Sequence, residues 1–133
     1  GINSSVMGTH GETMVPVVSQ SKVGNSALSA ALSKEQVGEV IEKTKKRGAE
    51  IVSYLKTGSA YFSPSACAAK MVEIIIKDKK ESIAASCFLN GEYGIKDIYL
   101  GAPAVIGKNG IEKIIELELT PEEKKAFLKA AGF

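Results

Sequence analysis

The residue best suited to chemistry in this sequence is its single histidine, His10, which stands in a glycine-flanked turn with Gly8 before it and Gly11 directly after. An imidazole exchanges protons near neutral pH, and histidine is the side chain used most often for general acid–base catalysis. Glycine neighbours carry no side chains, so a small substrate can approach such a histidine closely. These local features leave two alternatives open. His10 is an acid–base group, or it is a packed or solvated side chain with no chemical role.

Other catalytic arrangements have little support in the sequence. Glu12 would project on the same side as His10 in an extended segment, but pairing with backbone amides or a neighbouring cation is the simpler interpretation of its carboxylate. No serine stands in a nucleophile-elbow pattern. Cys67 and Cys87 lack the spacing of metal ligands, and one histidine cannot complete a zinc site without unusual use of carboxylates. We therefore predict no metal site.

Composition and charge limit the partners of the chain. The 133 residues are 44% hydrophobic and 24% charged, which is typical of one globular domain. The net charge of +2 arises from 17 basic and 15 acidic residues that are well mixed, so no nucleic-acid partner is predicted. The basic run at residues 43–47 follows three glutamates and is interpreted as a solvated helix face rather than a phosphate-binding patch.

Hydropathy and cysteine usage predict the location. No apolar run approaches the ~18 residues of a membrane span, and no cationic start leads into a hydrophobic segment. Both Cys67 and Cys87 lie in apolar surroundings, so buried reduced thiols are expected, with a disulfide between them as the less favoured alternative. We therefore predict a cytoplasmic protein with no membrane partner.

The elements around His10 follow from the hydrophobic pattern of the first half. Residues 4–8 and 14–19 predict two strands with a tight connection, which places His10 on a loop. Residues 20–32 are rich in Ser, Gly, Asn and Ala and predict an irregular surface segment. Ser33 and Gln36 form a capping-box pattern that starts a helix of about six turns. Gly48 falls on the apolar stripe of this helix, where it predicts close approach by another backbone.

The second half predicts a helix, three strands and a final helix. Pro64 fits the first turn of a helix that runs to about Lys77 and packs through an apolar set. That set is Ala66, Ala68, Ala69, Met71, Val72, Ile75 and Ile76. Residues 82–89 predict a buried strand, and two further strands are joined by a hairpin at Asn109 and Gly110.

The end of the chain has an alternating segment and a capped helix. Ile115, Leu117 and Leu119 alternate with glutamates, which puts one face of this segment in water. Thr120, Pro121 and Glu123 then supply the cap, first-turn proline and capping-box acid of the last helix. The predicted order β, β, α, α, β, β, β, α indicates an α+β fold with an antiparallel sheet.

Several segments together resemble one known family. The stretch VMGTHGETMVP resembles the catalytic-histidine segment of the lactate and malate dehydrogenases, whose pattern is Gly-x-His-Gly followed by Asp or Glu. The resemblance continues through RGAEIVSYLKTGSAYFSP, FLNGEYGIKDIYLGAPAVIGKNGIEKIIELEL and LTPEEKKAF, and so covers nearly the whole chain in order. It implies the family's C-terminal fold, an antiparallel sheet with long helices packed on it. We expect residues 1–133 to be the substrate-binding, catalytic domain, with the N-terminal nucleotide-binding domain absent from this chain.

The resemblance also implies roles for four residues. His10 would exchange the proton of the substrate oxygen and lie beside the nicotinamide of NAD, while Ser59 and Ala60 would line the substrate pocket and Pro64 the cofactor side. Lactate-specific members usually carry Thr where Ala60 stands, so the substrates expected here are malate and oxaloacetate, as in the tricarboxylic acid cycle. A homo-oligomer is implied, and the isolated chain is expected to be inactive. A lactate dehydrogenase of the same family and a purely structural or oligomerising module remain as alternatives.

Overall fold

A computed structural model describes all of residues 1–133. The chain has eight strands and four helices, in the order β1 Ile2–Asn3, β2 Val6–Met7, β3 Val15–Pro16, β4 Lys22–Val23, β5 Ser26–Ala27, α1 Leu28–Ala31, α2 Lys34–Leu55, α3 Phe62–Ile76, β6 Glu81–Asn90, β7 Lys96–Gly107, β8 Gly110–Ile114 and α4 Pro121–Ala130. Short 3-10 turns lie at Val18–Gln20 and Glu92–Gly94. The predicted α+β class is confirmed.

The central element is an antiparallel sheet in the order β6-β7-β8. Gly107 pairs with Gly110 across the predicted hairpin, so the sharp turn consists of Lys108 and Asn109. One face of the sheet carries the core of the molecule, which also receives side chains from β2, β3 and α4. The buried core residues are Met7, Val15, Val17, Cys87, Leu89, Ile95, Leu100, Ala102, Ala104 and Phe127.

The interpretation of residues 82–89 as a strand buried on both sides is wrong. Along β6 the side chains alternate, so that Cys87 and Leu89 are buried while Phe88 is 46% exposed. The other face of this strand carries small side chains such as Ala84 and Ser86, which are also exposed. Alternation is hard to detect in the sequence because alanine, serine and phenylalanine occupy the outer positions where charged residues are usual.

The helix α2 begins as the capping box predicts. The hydroxyl of Ser33 accepts a hydrogen bond from the backbone N–H of Gln36, and the Gln36 side chain accepts one from the backbone N–H of Ser33 at 2.9 Å. No residue of α2 is buried, and a Cβ added at Gly48 would meet nothing within 4 Å. The backbone approach predicted at Gly48 is therefore not made within this chain.

The helix α3 is less covered than the apolar set predicts. Pro64 lies in its first turn as expected, but no member of the predicted set is buried, and Val72 and Ile76 are 53% and 76% exposed. The one buried residue of the helix is Ile74, which the prediction left out. Cys67 on this helix is exposed too, so the expected burial of both thiols is correct only for Cys87, and no disulfide forms. The error has a physical reason. The side chains of α3 are apolar on most of its faces, and composition alone does not show that only one face packs against the sheet.

Residues 20–32 are more regular than predicted. A hairpin of β4 and β5 turns through Gly24 at φ +60°, β1 pairs with β4 as a third strand, and α1 follows as a single helical turn. The hydrophobic pattern does not reveal this segment, because its strands have only two residues each and their side chains are exposed. Backbone hydrogen bonds hold these strands together. In contrast, the last strand, predicted over residues 111–119, is shorter than expected, since β8 ends at Ile114.

The extended segment after β8 is fastened by Tyr93. The Tyr93 hydroxyl donates a hydrogen bond to the carbonyl oxygen of Ile115 at 2.8 Å and accepts one from the N–H of Leu117 at 2.9 Å. Burial raises the pKa of the Tyr93 hydroxyl, which keeps it protonated and able to donate. The alternation predicted for residues 115–119 is confirmed, and α4 then begins with the predicted cap at Thr120 and capping-box acid at Glu123.

Candidate functional site

The His10 loop, residues 8–14, connects the antiparallel strands β2 and β3, as predicted. Gly8 and Gly11 adopt φ +86° and +117°, conformations that other residues rarely take, and this explains the glycines around His10. The loop is closed by a hydrogen bond from the N–H of Met14 to the carbonyl oxygen of Gly11 at 3.1 Å and by contact between the hydroxyls of Thr9 and Thr13. His10 itself is exposed at the tip.

The loop is also joined to the sheet. Gly8 and Gly101 exchange two backbone hydrogen bonds, each 2.9 Å long, in an isolated antiparallel bridge. Gly101 belongs to β7, so the start of the His10 loop is attached directly to the middle strand of the sheet.

The four residues singled out in the sequence share one cleft. An open cleft of about 550 Å³ is lined by His10 together with Ser59, Ala60 and Pro64. The first comes from the loop after β2, and the others come from the connection between α2 and α3 or the first turn of α3. The α2 side of the cleft combines the small or apolar Gly48, Ala49 and Val52 with the polar Thr44, Lys45 and Lys46.

Glu12 does not have the partner expected for it. It lines the same cleft as His10, but its carboxylate is exposed and takes part in none of the ion pairs of the chain. The fold therefore supplies no acidic side chain bonded to the histidine. No cluster of three or more His, Cys, Asp or Glu side chains that could hold a metal ion is present either.

Lys45 is a cleft residue that the sequence interpretation missed. In the basic run of α2, Lys46 pairs with Glu42 at 3.4 Å and Arg47 pairs with Glu50 at 2.8 Å, but Lys45 is in no ion pair. It is partly buried and lines the cleft beside His10. The signal was present in the sequence, because the positions four residues before and after Lys45 hold isoleucine and alanine instead of glutamate. Most of the run is a solvated face, as predicted, but Lys45 and Lys46 also line the cleft, and of these two only Lys45 has no acidic partner.

A second hollow borders His10 on the other side. A groove of about 470 Å³ runs over the outer face of β6 and β7, and His10 and Met14 line both it and the cleft. Its floor consists of small residues such as Ala84 and Ser86, and Tyr99, which is 72% exposed, stands on its wall. The imidazole therefore stands between two open surfaces. None of the helices has the length and apolar character needed to cross a membrane.

Comparison with known proteins agrees with this arrangement. A family model described as the lactate/malate dehydrogenase, alpha/beta C-terminal domain matches residues 2–132. The chain belongs to the lactate/malate dehydrogenase family. A malate dehydrogenase of Rhodopirellula baltica is 52% identical over 126 residues, which are 95% of this chain and 40% of that protein. The chain thus spans well under half the length of such relatives.

Solved structures of the family share the fold. The malate dehydrogenase from Aeropyrum pernix superposes with a TM-score of 0.93 at 44% identity over 98% of this chain and 44% of the other. A lactate dehydrogenase from Cryptosporidium parvum, in complex with lactic acid and nicotinamide adenine dinucleotide, gives a TM-score of 0.96 at 42% identity over 98% of this chain and 43% of the other. The family and fold implied by the sequence resemblance are confirmed, and relatives named for either substrate share that fold.

Proposed function

We propose that this chain is the substrate-binding and catalytic domain of an NAD-dependent malate dehydrogenase, which interconverts malate and oxaloacetate. The observation that carries the proposal is the meeting of His10, Ser59, Ala60 and Pro64 in one cleft. These residues come from distant parts of the chain, and each was expected at the substrate or cofactor on the family resemblance alone. The name malate dehydrogenase borne by the Rhodopirellula baltica relative supports the same activity.

The work of His10 would be proton transfer at the substrate oxygen. A nicotinamide, when bound, accepts or donates the hydride. Loss of hydride from a carbinol carbon is easy only if the hydroxyl proton leaves as well, and an imidazole nitrogen of His10 within ~3 Å could take that proton. In the opposite direction the imidazolium would return it to the carbonyl oxygen. Exposure of His10 at the cleft leaves the imidazole accessible to a small 2-hydroxy or 2-oxo acid.

The residues of the cleft fit one end of the dinucleotide. Pro64 and Val52 offer an apolar wall to a flat nicotinamide ring. No glycine-rich turn between a strand and a helix exists in this chain to cradle the phosphates. We therefore place most of the NAD contacts in a nucleotide-binding domain outside residues 1–133, and we expect the isolated chain to be inactive.

Malate is favoured over lactate by the size and charge of the cleft. Ala60 leaves more room at the position where lactate-specific members usually carry threonine, and Lys45 adds a positive charge that suits a second carboxylate. The alternative of a lactate dehydrogenase rests on the lactate dehydrogenase relative, which shares the fold.

The alternative of a structural module rests on α2, whose apolar side chains are at most partly covered in this chain. Its 22 residues include none that is buried, and Val40 and Leu55 are 43% and 38% exposed. We propose that this surface serves the homo-oligomer implied by the resemblance. Sedimentation of the chain would test whether it forms this oligomer.

The predicted cytoplasmic location is supported by the two unpaired cysteines.

The decisive experiment is a hybrid dehydrogenase. Residues 2–132 replace the matching segment of the Rhodopirellula baltica malate dehydrogenase, and NADH oxidation is followed with oxaloacetate and, separately, with pyruvate. We expect the hybrid to prefer oxaloacetate and His10→Ala to lose ~10²–10⁴-fold in kcat/KM. An unchanged circular-dichroism spectrum of the His10→Ala hybrid is the control for folding. Equal activity of the hybrid and its His10→Ala variant would show that His10 is not the acid–base group, and preference for pyruvate would favour the lactate alternative.

A further inference from the structure

We propose that Gly101 is a positioning residue for His10, because the Gly8–Gly101 bridge sets the distance of the His10 loop from the sheet. Its importance for catalysis rests on the proposed function of His10. The bridge itself is a property of the fold and is tested separately below.

The first support is the double hydrogen bond. The N–H of Gly8 donates to the carbonyl oxygen of Gly101, and the N–H of Gly101 donates to the carbonyl oxygen of Gly8, both at 2.9 Å. Two bonds in opposite directions fix the separation and the register of the two backbones, as in a pair of antiparallel strands. The bridge joins only this one pair of residues, so the start of the loop meets β7 at a single point.

The second support is steric. A Cβ added at Gly101 would lie 2.5 Å from the carbonyl oxygen of Gly8, whereas side-chain carbons essentially never come closer than 3.0 Å to such an atom. The obstacle is backbone, which cannot rotate away as the end of a side chain can. Any larger residue at this position must therefore push the loop outward by at least about 0.5 Å.

The third support is the rigidity of β7. The neighbours of Gly101 along the strand, Leu100 and Ala102, are 3% and 0% exposed and belong to the core. Gly101 also pairs with Ser86 of β6. Since β7 is held at this position by the core and by its pairing with β6, the loop and not the strand should yield when the bridge is strained.

A shift at Gly8 is passed on to His10. The two residues are separated only by Thr9, so their Cα atoms lie at most ~7.6 Å apart along the chain. The hydrogen bond from Met14 to Gly11 closes the loop and favours its movement as one unit. A misplacement of about 1 Å can cost on the order of 10²-fold in rate, so a shift of about half that size matters for proton transfer.

The first test uses the chain as it is, by nuclear magnetic resonance. With one histidine in the sequence, the two carbon-bound imidazole protons of His10 are assigned without ambiguity. We expect protected Gly8 and Gly101 amides in the unaltered chain, and in Gly101→Ala we expect shifted imidazole signals and exchange of the Gly8 amide faster by about tenfold. Gly107→Ala is the matched control, because it adds the same methyl group to β7 but against side-chain atoms, those of Glu112 and Asp78, with no atom of Gly8 among its nearest neighbours. It should leave both readouts unchanged.

Two results would overturn the inference. One is rapid exchange of the Gly8 and Gly101 amides in the unaltered chain, which needs no variant to fold. The other is a Gly101→Ala chain whose imidazole signals and Gly8 exchange match those of Gly107→Ala.

The second test uses the hybrid dehydrogenase. Gly101→Ala should lower kcat by ~10–100-fold while KM for NADH changes less than about twofold, and Gly107→Ala should affect neither. Equal losses of kcat in both variants would show that Gly101 has only a structural role and does not position His10. Full activity in His10→Ala would refute the proposed function instead, and would leave the resonance result on the bridge intact.

Discussion

The packing of α4 through Phe127 allows a quantitative prediction. Phe127 is the single buried residue of this helix, 1% exposed, and its ring meets that of Tyr93 edge-on with centroids 5.0 Å apart. Truncation of a buried phenylalanine to alanine costs about 3–5 kcal/mol, through lost burial and the cavity that remains. Because α4 ends near the C-terminus and can partly collapse onto the cavity, we expect Phe127→Ala to lower the free energy of unfolding by about 3 kcal/mol.

The same change should reach the His10 loop. A Cβ built at Gly8 would come within 3.2 Å of the Ala130 side chain, which places the end of α4 directly against the loop. Loosening of α4 should therefore broaden or shift the imidazole signals of His10, although Phe127 is not among the residues that line either hollow beside it. This effect follows from packing alone and requires no catalytic activity.

The assay is urea unfolding of the chain, with Phe133→Ala as the control. Phe133 is the same residue type close to the same helix, but it is 74% exposed, so its truncation should change stability by less than about 0.5 kcal/mol. The urea dependence should stay equal in all three proteins, so that the midpoint carries the difference. A loss below about 1 kcal/mol for Phe127→Ala, or equal losses for the two variants, would refute the view that Phe127 fastens α4.

Two further predictions concern charge. In the hybrid dehydrogenase, Lys45→Met should raise KM for oxaloacetate about fivefold with kcat unchanged, because a loss of ~1 kcal/mol of electrostatic attraction corresponds to that factor. Lys43→Met is the control and should have little effect, since Lys43 is already paired with Glu39. Equal KM values for the two variants would exclude a role for Lys45. The Lys79 and Lys77 ammonium groups, which donate hydrogen bonds to Glu73, lower the pKa of that carboxyl to about 2. Since the pKa of Glu73 is lower in the folded chain, the stability that these hydrogen bonds contribute is present above about pH 4.5 and is lost as the pH falls towards 2. Glu73→Gln should therefore reduce the fall in melting temperature between about pH 4.5 and about pH 2. An equal fall in the variant and the unaltered chain would contradict this prediction.

Local features of the fold were predictable, and contacts between distant segments were not. The caps at Ser33 and Thr120 involve residues three positions apart, and the loop glycines next to His10 reflect their own backbone angles. The Gly8–Gly101 bridge has no such signal, because Gly101 looks like any glycine in a strand. Burial of α3 was overestimated for a related reason: an apolar composition shows what a helix can bury, while the surface it meets depends on the whole fold.

The candidate site shows the same division. The lone histidine and its glycines left the chemical role of the loop open, and the family resemblance supplied that role together with Ser59, Ala60 and Pro64, which the fold brings to the same cleft as His10. Lys45 lies within a run of cations whose other members were correctly interpreted as solvated. In the structure its neighbours Lys46 and Arg47 each pair with a glutamate, whereas Lys45 is in no ion pair. Charge patterns at helical spacing would have distinguished it.

The attachment of the His10 loop by backbone atoms has a consequence for how such an enzyme can change over evolution. Under the proposed function, His10 takes its position from the bridge to β7, whereas Ser59 and Ala60, the proposed pocket residues, belong to the separate connection between α2 and α3. A mutation that reshapes this connection would then leave the proposed proton-transfer group in place. Substrate preference could drift while the proposed acid–base step is preserved, and relatives named for malate and for lactate do share one fold.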